Sequence, residues 1–134
     1  MYEIYTDGAY SFSRNQGGWA FVIIKDGVKV DYGFSGVKNT TNNRMEILAV
    51  IEGIIYAKEN NIESFTIWSD SMYVIGTMSL NWKRNKNNDL WEKLDILVKD
   101  CNINWQHTKG HVGNKYNELC DTFAVEASKA KLNE

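Results

Sequence analysis

The chain has 134 residues, 43% hydrophobic and 24% charged, room for one domain (residues 1–134) with its own core and a composition that argues against disorder. Fifteen Lys and Arg against 17 Asp and Glu leave a net charge of −2, a poor balance for a polyanion binder unless local basic patches or bound cations supply what the total lacks. No apolar run approaches the roughly 20 residues of a membrane helix, and Met1-Tyr2-Glu3-Ile4-Tyr5 lacks the pattern of a signal peptide, so a cytoplasmic protein with no membrane partner is expected.

Tyr2 to Thr6 alternates and is rich in strand formers, and predicts a first strand. Gly18 to Ile24 predicts a second, Asp26-Gly27 a hairpin turn, and Val28 to Phe34 a third. A long helix follows from Asn43 to Glu59, then a fourth strand over Phe65 to Trp68. Helices are expected over Ser71 to Leu80 and Asp89 to Lys99, a fifth strand over Ile103 to His107, and a last helix over Lys115 to Lys129. The order β-β-β-α-β-α-α-β-α is that of an α/β fold: a mixed sheet, antiparallel in strands 1–3 and parallel in strands 4–5, with helices on both faces. In the last helix Tyr116, Leu119, Cys120, Phe123, Ala124 and Ala127 fall on one stripe, and Asn117 and Asp121 lie off it on a common side. Cys101 and Cys120 match no zinc spacing and read as reduced core residues. With no proline in the chain, turns must come from Gly, Asn and Asp.

Four acids stand out, and each has a local explanation. Asp7, in Thr6-Asp7-Gly8 at the end of the first strand, reads as a turn residue. Asp70, in Ser69-Asp70-Ser71 before a helix, reads as an N-cap. Asp121 reads as a solvated helix residue. Glu46 has capping-box spacing from Asn43, but it shares its helix side with Ala49, Val50, Gly53 and Ala57. From Met45 to Ala57 only Glu46 and Glu52 are charged, so the helix is expected to be buried, and a carboxylate there needs hydrogen bonds or a cation. Ligands of open α/β sheets sit outside the carboxyl ends of parallel strands, where Asp7 and Asp70 stand. Four carboxylates gathered there would repel one another, and hard cations such as Mg²⁺ or Mn²⁺ relieve that repulsion through oxygen ligands.

Thr6-Asp7-Gly8, Thr41-Asn42-Asn43-Arg44-Met45-Glu46, Ser69-Asp70-Ser71 and Lys109-Gly110-His111-Val112-Gly113…Asn117-Glu118-Leu119-Cys120-Asp121 together resemble type 1 ribonuclease H. Gly17-Gly18-Trp19-Ala20, Asn81-Trp82-Lys83 and Asp89-Leu90-Trp91 extend the resemblance over nearly the whole chain, in the family's order. The resemblance implies a ribonuclease H-like fold and hydrolysis of the RNA strand of an RNA–DNA hybrid, leaving 3′-hydroxyl and 5′-phosphate ends. It implies Asp7, Glu46, Asp70 and Asp121 as ligands of two Mg²⁺ ions about 4 Å apart, with Mn²⁺ as a substitute. His111 matches a loop histidine assigned to proton handling or product release; His107 is left as a strand residue. Asn42 and Asn43 match residues that contact the hybrid's minor groove, where the 2′-hydroxyl distinguishes RNA from DNA. Thr41 matches a residue that helps hold a phosphate of the DNA strand, and Trp82, Lys83 and Lys109 are further implied substrate contacts.

The chain departs from the family pattern where many bacterial members carry a basic protrusion. Only Lys83-Arg84-Asn85-Lys86-Asn87-Asn88 joins Trp82 to Asp89, which predicts modest hybrid contact and a steep loss of activity with salt. Ser13 stands where many members have Asn, and Met72 where Gln is common; Met72 cannot donate the corresponding hydrogen bond. Neither removes a metal ligand. A non-catalytic hybrid-binding module would be expected to lack at least one of the four carboxylates. A detached reverse-transcriptase nuclease domain is permitted by the short basic segment, but the Met start favours a free-standing protein, with a monomer as the default expectation. A related DNA nuclease would lack the Asn-Asn-Arg-Met-Glu block.

Overall fold

The computed structural model describes residues 1–108 and 114–132. Strands β1 (Tyr2–Ser11), β2 (Gln16–Lys25) and β3 (Val28–Lys38) form an antiparallel meander, followed by α1 (Asn42–Glu59), β4 (Ser64–Ser69), α2 (Met72–Ser79), α3 (Asn88–Val98), β5 (Asn102–His107) and α4 (Lys115–Lys129). The sheet order is β3-β2-β1-β4-β5, with β4 parallel to β1 and β5 parallel to β4. This is the expected mixed sheet. Asp26 and Gly27 both take positive φ, 50° and 82°, as the tight β2–β3 turn requires.

Helices cover the two faces unequally. On one face α1, α2 and α3 enclose a core in which Ile4, Ile23, Ile51, Ile67 and Trp91 are almost wholly buried. On the other, α4 lies over β1–β3 and closes a smaller core of Tyr5, Ala20, Val22, Ile24, Cys120 and Ala124. The apolar stripe read along α4 is the one that packs. Both cysteines are free thiols; Cys120 is buried and donates to the Tyr5 and Ala20 carbonyls, while Cys101 is half-buried. No helix among the described residues is long and apolar enough to cross a membrane.

Four local expectations are corrected. β1 does not end at Thr6: the parallel ladder with β4 stops at Thr6–Ser69, but the antiparallel ladder with β2 continues through Asp7–Ala20 to Ser11–Gln16. Asp7 is therefore a strand residue at the point where β1 outruns its parallel neighbour, not a turn residue. The N-cap of α1 is Thr41, whose hydroxyl accepts from Arg44 N–H at 3.1 Å, so Asn43 and Glu46 form no capping box. The N-cap of α2 is Ser71, accepting from Val74 N–H, which leaves the Asp70 carboxylate free of that duty. The second and third strands also extend beyond Gly18 and Phe34, because Gly18 pairs with Gly36 across the meander.

That glycine pair lets α4 approach closely. A Cβ on Gly18 would lie 2.2 Å from the Ala124 carbonyl oxygen and 2.6 Å from Ser128 N, both backbone atoms that cannot step aside. Gly18→Ala is expected to destabilise the fold by about 2–3 kcal/mol in chemical denaturation; a change within 0.5 kcal/mol would show that α4 is not seated there.

Candidate active site

The site forms where β1 runs on past the end of β4. Gly8, immediately after Asp7, faces α1: a Cβ there would lie 2.4 Å from Glu46 N and 2.5 Å from the Met45 carbonyl carbon. Only glycine admits the first turns of α1 this close to the strand. Gly8 N–H then donates to both Asp7 Oδ1 and Glu46 Oε1, each at 2.9 Å, so one backbone group holds two carboxylates. Asp70 leaves the end of β4 beside them. One oxygen each from Asp7, Glu46 and Asp70 lies within 4.8 Å of the others. Asp121, exposed on α4, borders this group through Asp7.

The electrostatics follow from burial and crowding. Asp7 is 2% exposed and Glu46 7%. Desolvation, followed by the charges of Glu46, Asp70 and Asp121, raises the Asp7 carboxyl to about 10. Desolvation and Asp70 raise Glu46 to about 8, against the Gly8 hydrogen bond that opposes the shift. Asp70 is also raised, by burial first and then by Asp121. Asp7 Oδ2 is buried without a hydrogen-bond partner. An orphaned carboxylate oxygen facing three further acids, with no sulfur or imidazole in the set, fits a hard divalent cation.

Around this centre the implied substrate residues separate. Asn42 and Asn43 are exposed one helical turn before Glu46, on its side of α1. Thr41 is exposed, its hydroxyl engaged as the helix cap. Trp82 is 44% exposed, its ring lying over Gly76 and its backbone N–H donating to the Gly76 carbonyl. Lys83, with Asn43, Tyr73, Asn85, Lys86 and Asn87, lines a cleft of about 240 Å³. Lys109 and His111 lie outside the described residues. Arg84 is paired with Asp95 and lies over the Trp91 ring, half-buried, whereas Lys83 and Lys86 of the same segment are exposed.

Three residues gain roles that reading the chain did not give them. Gly8 is the donor that unites the carboxylates. Arg44 makes a two-pronged pair with Asp89, at 3.0 and 2.7 Å, and also donates to Asn87, tying the start of α1 to the start of α3. The co-occurrence of the Asn-Asn-Arg and Asp-Leu-Trp segments was the available signal. His107 ends β5 with its Nε2 3.2 Å from the Asp70 carbonyl oxygen, at the rim of the acidic group.

Fold and site together define an α/β protein with an all-oxygen acidic centre at the ends of its parallel strands. A family model, RNase H, matches residues 1–129. The chain is 39% identical to a Ribonuclease H of Treponema denticola over 97% of this chain and 98% of that protein. It is 42% identical to a Ribonuclease H of Caldanaerobacter subterraneus over 98% and 94%. Among solved structures, RNase H1 from Halobacterium salinarum aligns at 26% identity with a TM-score of 0.78, covering 96% of this chain and 97% of that one. LC11-RNase H1, solved in complex with an RNA/DNA hybrid, shares the fold at 19% identity with a TM-score of 0.84 over 96% and 97%. The chain belongs to the RNase H family.

The raised acids set a pH dependence. Their ordinary values are 3.8 and 4.5, and in the folded chain about 10 and 8. Between about pH 4 and pH 8 the folded chain holds more protons than the unfolded one, so raising the pH over that window removes stability. Urea denaturation in EDTA is expected to show stability falling from pH 4 to 8, with Asp70→Asn more stable than the parent at pH 8. A flat profile, or a less stable variant, would contradict the crowding.

Proposed function

We propose that this protein is a ribonuclease H that hydrolyses the RNA strand of RNA–DNA hybrids, leaving 3′-hydroxyl and 5′-phosphate ends. The observation that carries this reading is the buried, unpartnered Asp7 Oδ2 within a cluster of Asp7, Glu46 and Asp70 oxygens in a chain of this family. Asp7, Glu46, Asp70 and Asp121 would hold a pair of Mg²⁺ ions, with Mn²⁺ as a substitute. The chemistry supplied by such a pair is Lewis acidity toward the scissile phosphate and a water of lowered pKa.

The chain's own residues do the rest. Gly8 N–H fixes the Asp7 and Glu46 carboxylates against each other, so the floor of the site is set before substrate arrives. Asp70 and Asp121 stand less deeply, at the side open to a phosphodiester. Asn42 and Asn43 offer donors and acceptors to the minor groove and the RNA 2′-hydroxyl. Thr41 meets the DNA-strand backbone, Trp82, Lys83 and Lys109 give further hybrid contacts, and His111 handles the proton or product release. Recognition through backbone and sugar leaves little sequence preference. The protein acts as a single-domain cytoplasmic monomer.

The test is cleavage of end-labelled RNA presented as RNA–DNA, as RNA–RNA and alone, with Mg²⁺, Mn²⁺ or EDTA. Cutting confined to the hybrid and to the metal-containing reactions is expected, reduced about a hundredfold or more in Asp70→Asn with folding preserved. Cutting in EDTA, or a wild-type rate in the variant, would contradict the reading. With about three phosphates neutralised, hybrid affinity is expected to fall on the order of 40-fold between 50 and 200 mM salt. Salt-insensitive binding would contradict contact through the backbone.

A further inference from the structure

Both ladders that hold β4 end at the same residue. The pairing with β1 stops at Thr6–Ser69 and the pairing with β5 at Ser69–His107, closed by Thr108 N–H donating to the Ser69 carbonyl at 2.9 Å. Asp70 is the first residue beyond the sheet, and α2 begins two residues later. Ser71 is held on every side. Its N–H donates to Ser69 Oγ at 3.1 Å, its hydroxyl accepts from Val74 N–H at 3.3 Å and its carbonyl from Ile75 N–H at 3.1 Å. The Asp70 peptide lies between these two fixed residues, and the His107 ring takes up its carbonyl, Nε2 to oxygen at 3.2 Å. A carbonyl oxygen only accepts, so Nε2 must carry the proton.

The acids of the centre are not fixed alike. Asp7 and Glu46 share the Gly8 N–H, which holds their carboxylates directly. Asp70 has no part in that donor, and its carboxylate is carried by the main chain. Turning the Asp70 peptide swings the side chain relative to Asp7, and crowded carboxylates favour the turn that parts them. The ladder fixes this peptide on the β4 side, and on the other side the histidine opposes the turn. The core has little need of the ring. Alternation puts His107 on the face of β5 that carries Ile103 and Trp105 to the core, but at the end of an edge strand, where it is exposed. Removing a side chain so placed leaves the packing intact.

We propose that His107 is the positioning residue of Asp70. By holding the Asp70 carbonyl it keeps the carboxylate turned toward Asp7 and Glu46, and so sets how tightly the centre takes up a divalent cation. This rests on the proposed function for its cation, and it adds to the four carboxylates a residue that acts through one of them. Any side chain that places an N–H donor at the Asp70 carbonyl serves the same purpose, whereas a ring without a donor does not.

The experiment compares wild type with His107→Gln, which keeps a donor at similar reach, and His107→Phe, which keeps a ring and loses the donor. Calorimetry of Mg²⁺ binding to the metal-free protein is read beside hybrid cleavage over a range of Mg²⁺ concentrations and beside urea unfolding. On wild type alone, the nitrogen NMR spectrum of the imidazole at pH 8 reports which ring nitrogen carries the proton. His107→Phe is expected to weaken Mg²⁺ binding about tenfold and to raise the Mg²⁺ needed for half-maximal cleavage by the same factor. Its hybrid KM at saturating Mg²⁺ and its urea midpoint are expected to stay at the wild-type values. His107→Gln is expected to bind Mg²⁺ within about threefold of wild type, and the wild-type imidazole to be the Nε2–H form. Wild-type Mg²⁺ affinity in His107→Phe, or a His107→Gln as weak as His107→Phe, would overturn the positioning role while leaving the proposed function standing. An imidazole protonated at Nδ1 alone would overturn it as well, whatever the variants do. A wild-type chain that takes up no Mg²⁺ and cuts no hybrid would overturn the function and the positioning role together.

Discussion

One backbone N–H, that of Gly8, is shared by two carboxylates that would otherwise repel each other, and the site is arranged around that sharing. It exists because β1 continues past the end of β4 while still paired with β2, so that Asp7 and Gly8 have strand geometry but an open flank. It also requires that Gly8 have no side chain, since α1 occupies the space a Cβ would take. The buried length of α1 and the seating of α4 on Gly18 then hold Glu46 and Asp121 in place against the repulsion. Concentrating acids at a buried point costs stability, and it is a cost of the kind that functional sites carry.

The same arrangement explains how an acidic chain can meet a polyanion. Net charge describes the whole surface, whereas binding samples one face of it. Four acids are drawn into the centre, and two more beside the short basic segment are held in ion pairs, Asp89 with Arg44 and Asp95 with Arg84. Those pairs are exposed and contribute little to stability. Their effect is geometric, fixing α3 against α1 and drawing the short basic segment down onto Trp91. The rim from α1 to the β1–β2 turn is left without acids, and a bound cation at the centre would extend that character to the cleft itself.

Element order, the Asp26-Gly27 turn and the burial of α1 were legible because each rests on a periodicity or a local conformational preference. The anomaly of Glu46 was legible for the same reason, as a charge in an apolar surround. What local reading missed depends on distant partners. Thr6-Asp7-Gly8 has the composition of a turn, and only the ladder from Asp7 to Ala20 makes it a strand. Asn43 and Glu46 have capping-box spacing, but Thr41 takes the cap and Glu46 is claimed by Gly8, 38 residues away. Arg84 reads as a free cation in the chain, and its pairing with Asp95 appears only when α3 folds back beside it.

The most direct test of the crowded centre is calorimetric titration of Mg²⁺ into the metal-free protein at pH 7, in buffers of different ionisation enthalpy. Carboxyls raised as far as those of Asp7 and Glu46 carry protons at that pH, and cation binding must expel them. Release of about one proton or more per chain is expected, declining as the pH is raised toward 9. Binding heats that do not depend on the buffer would contradict the close approach of Asp7, Glu46 and Asp70 on which the site is built.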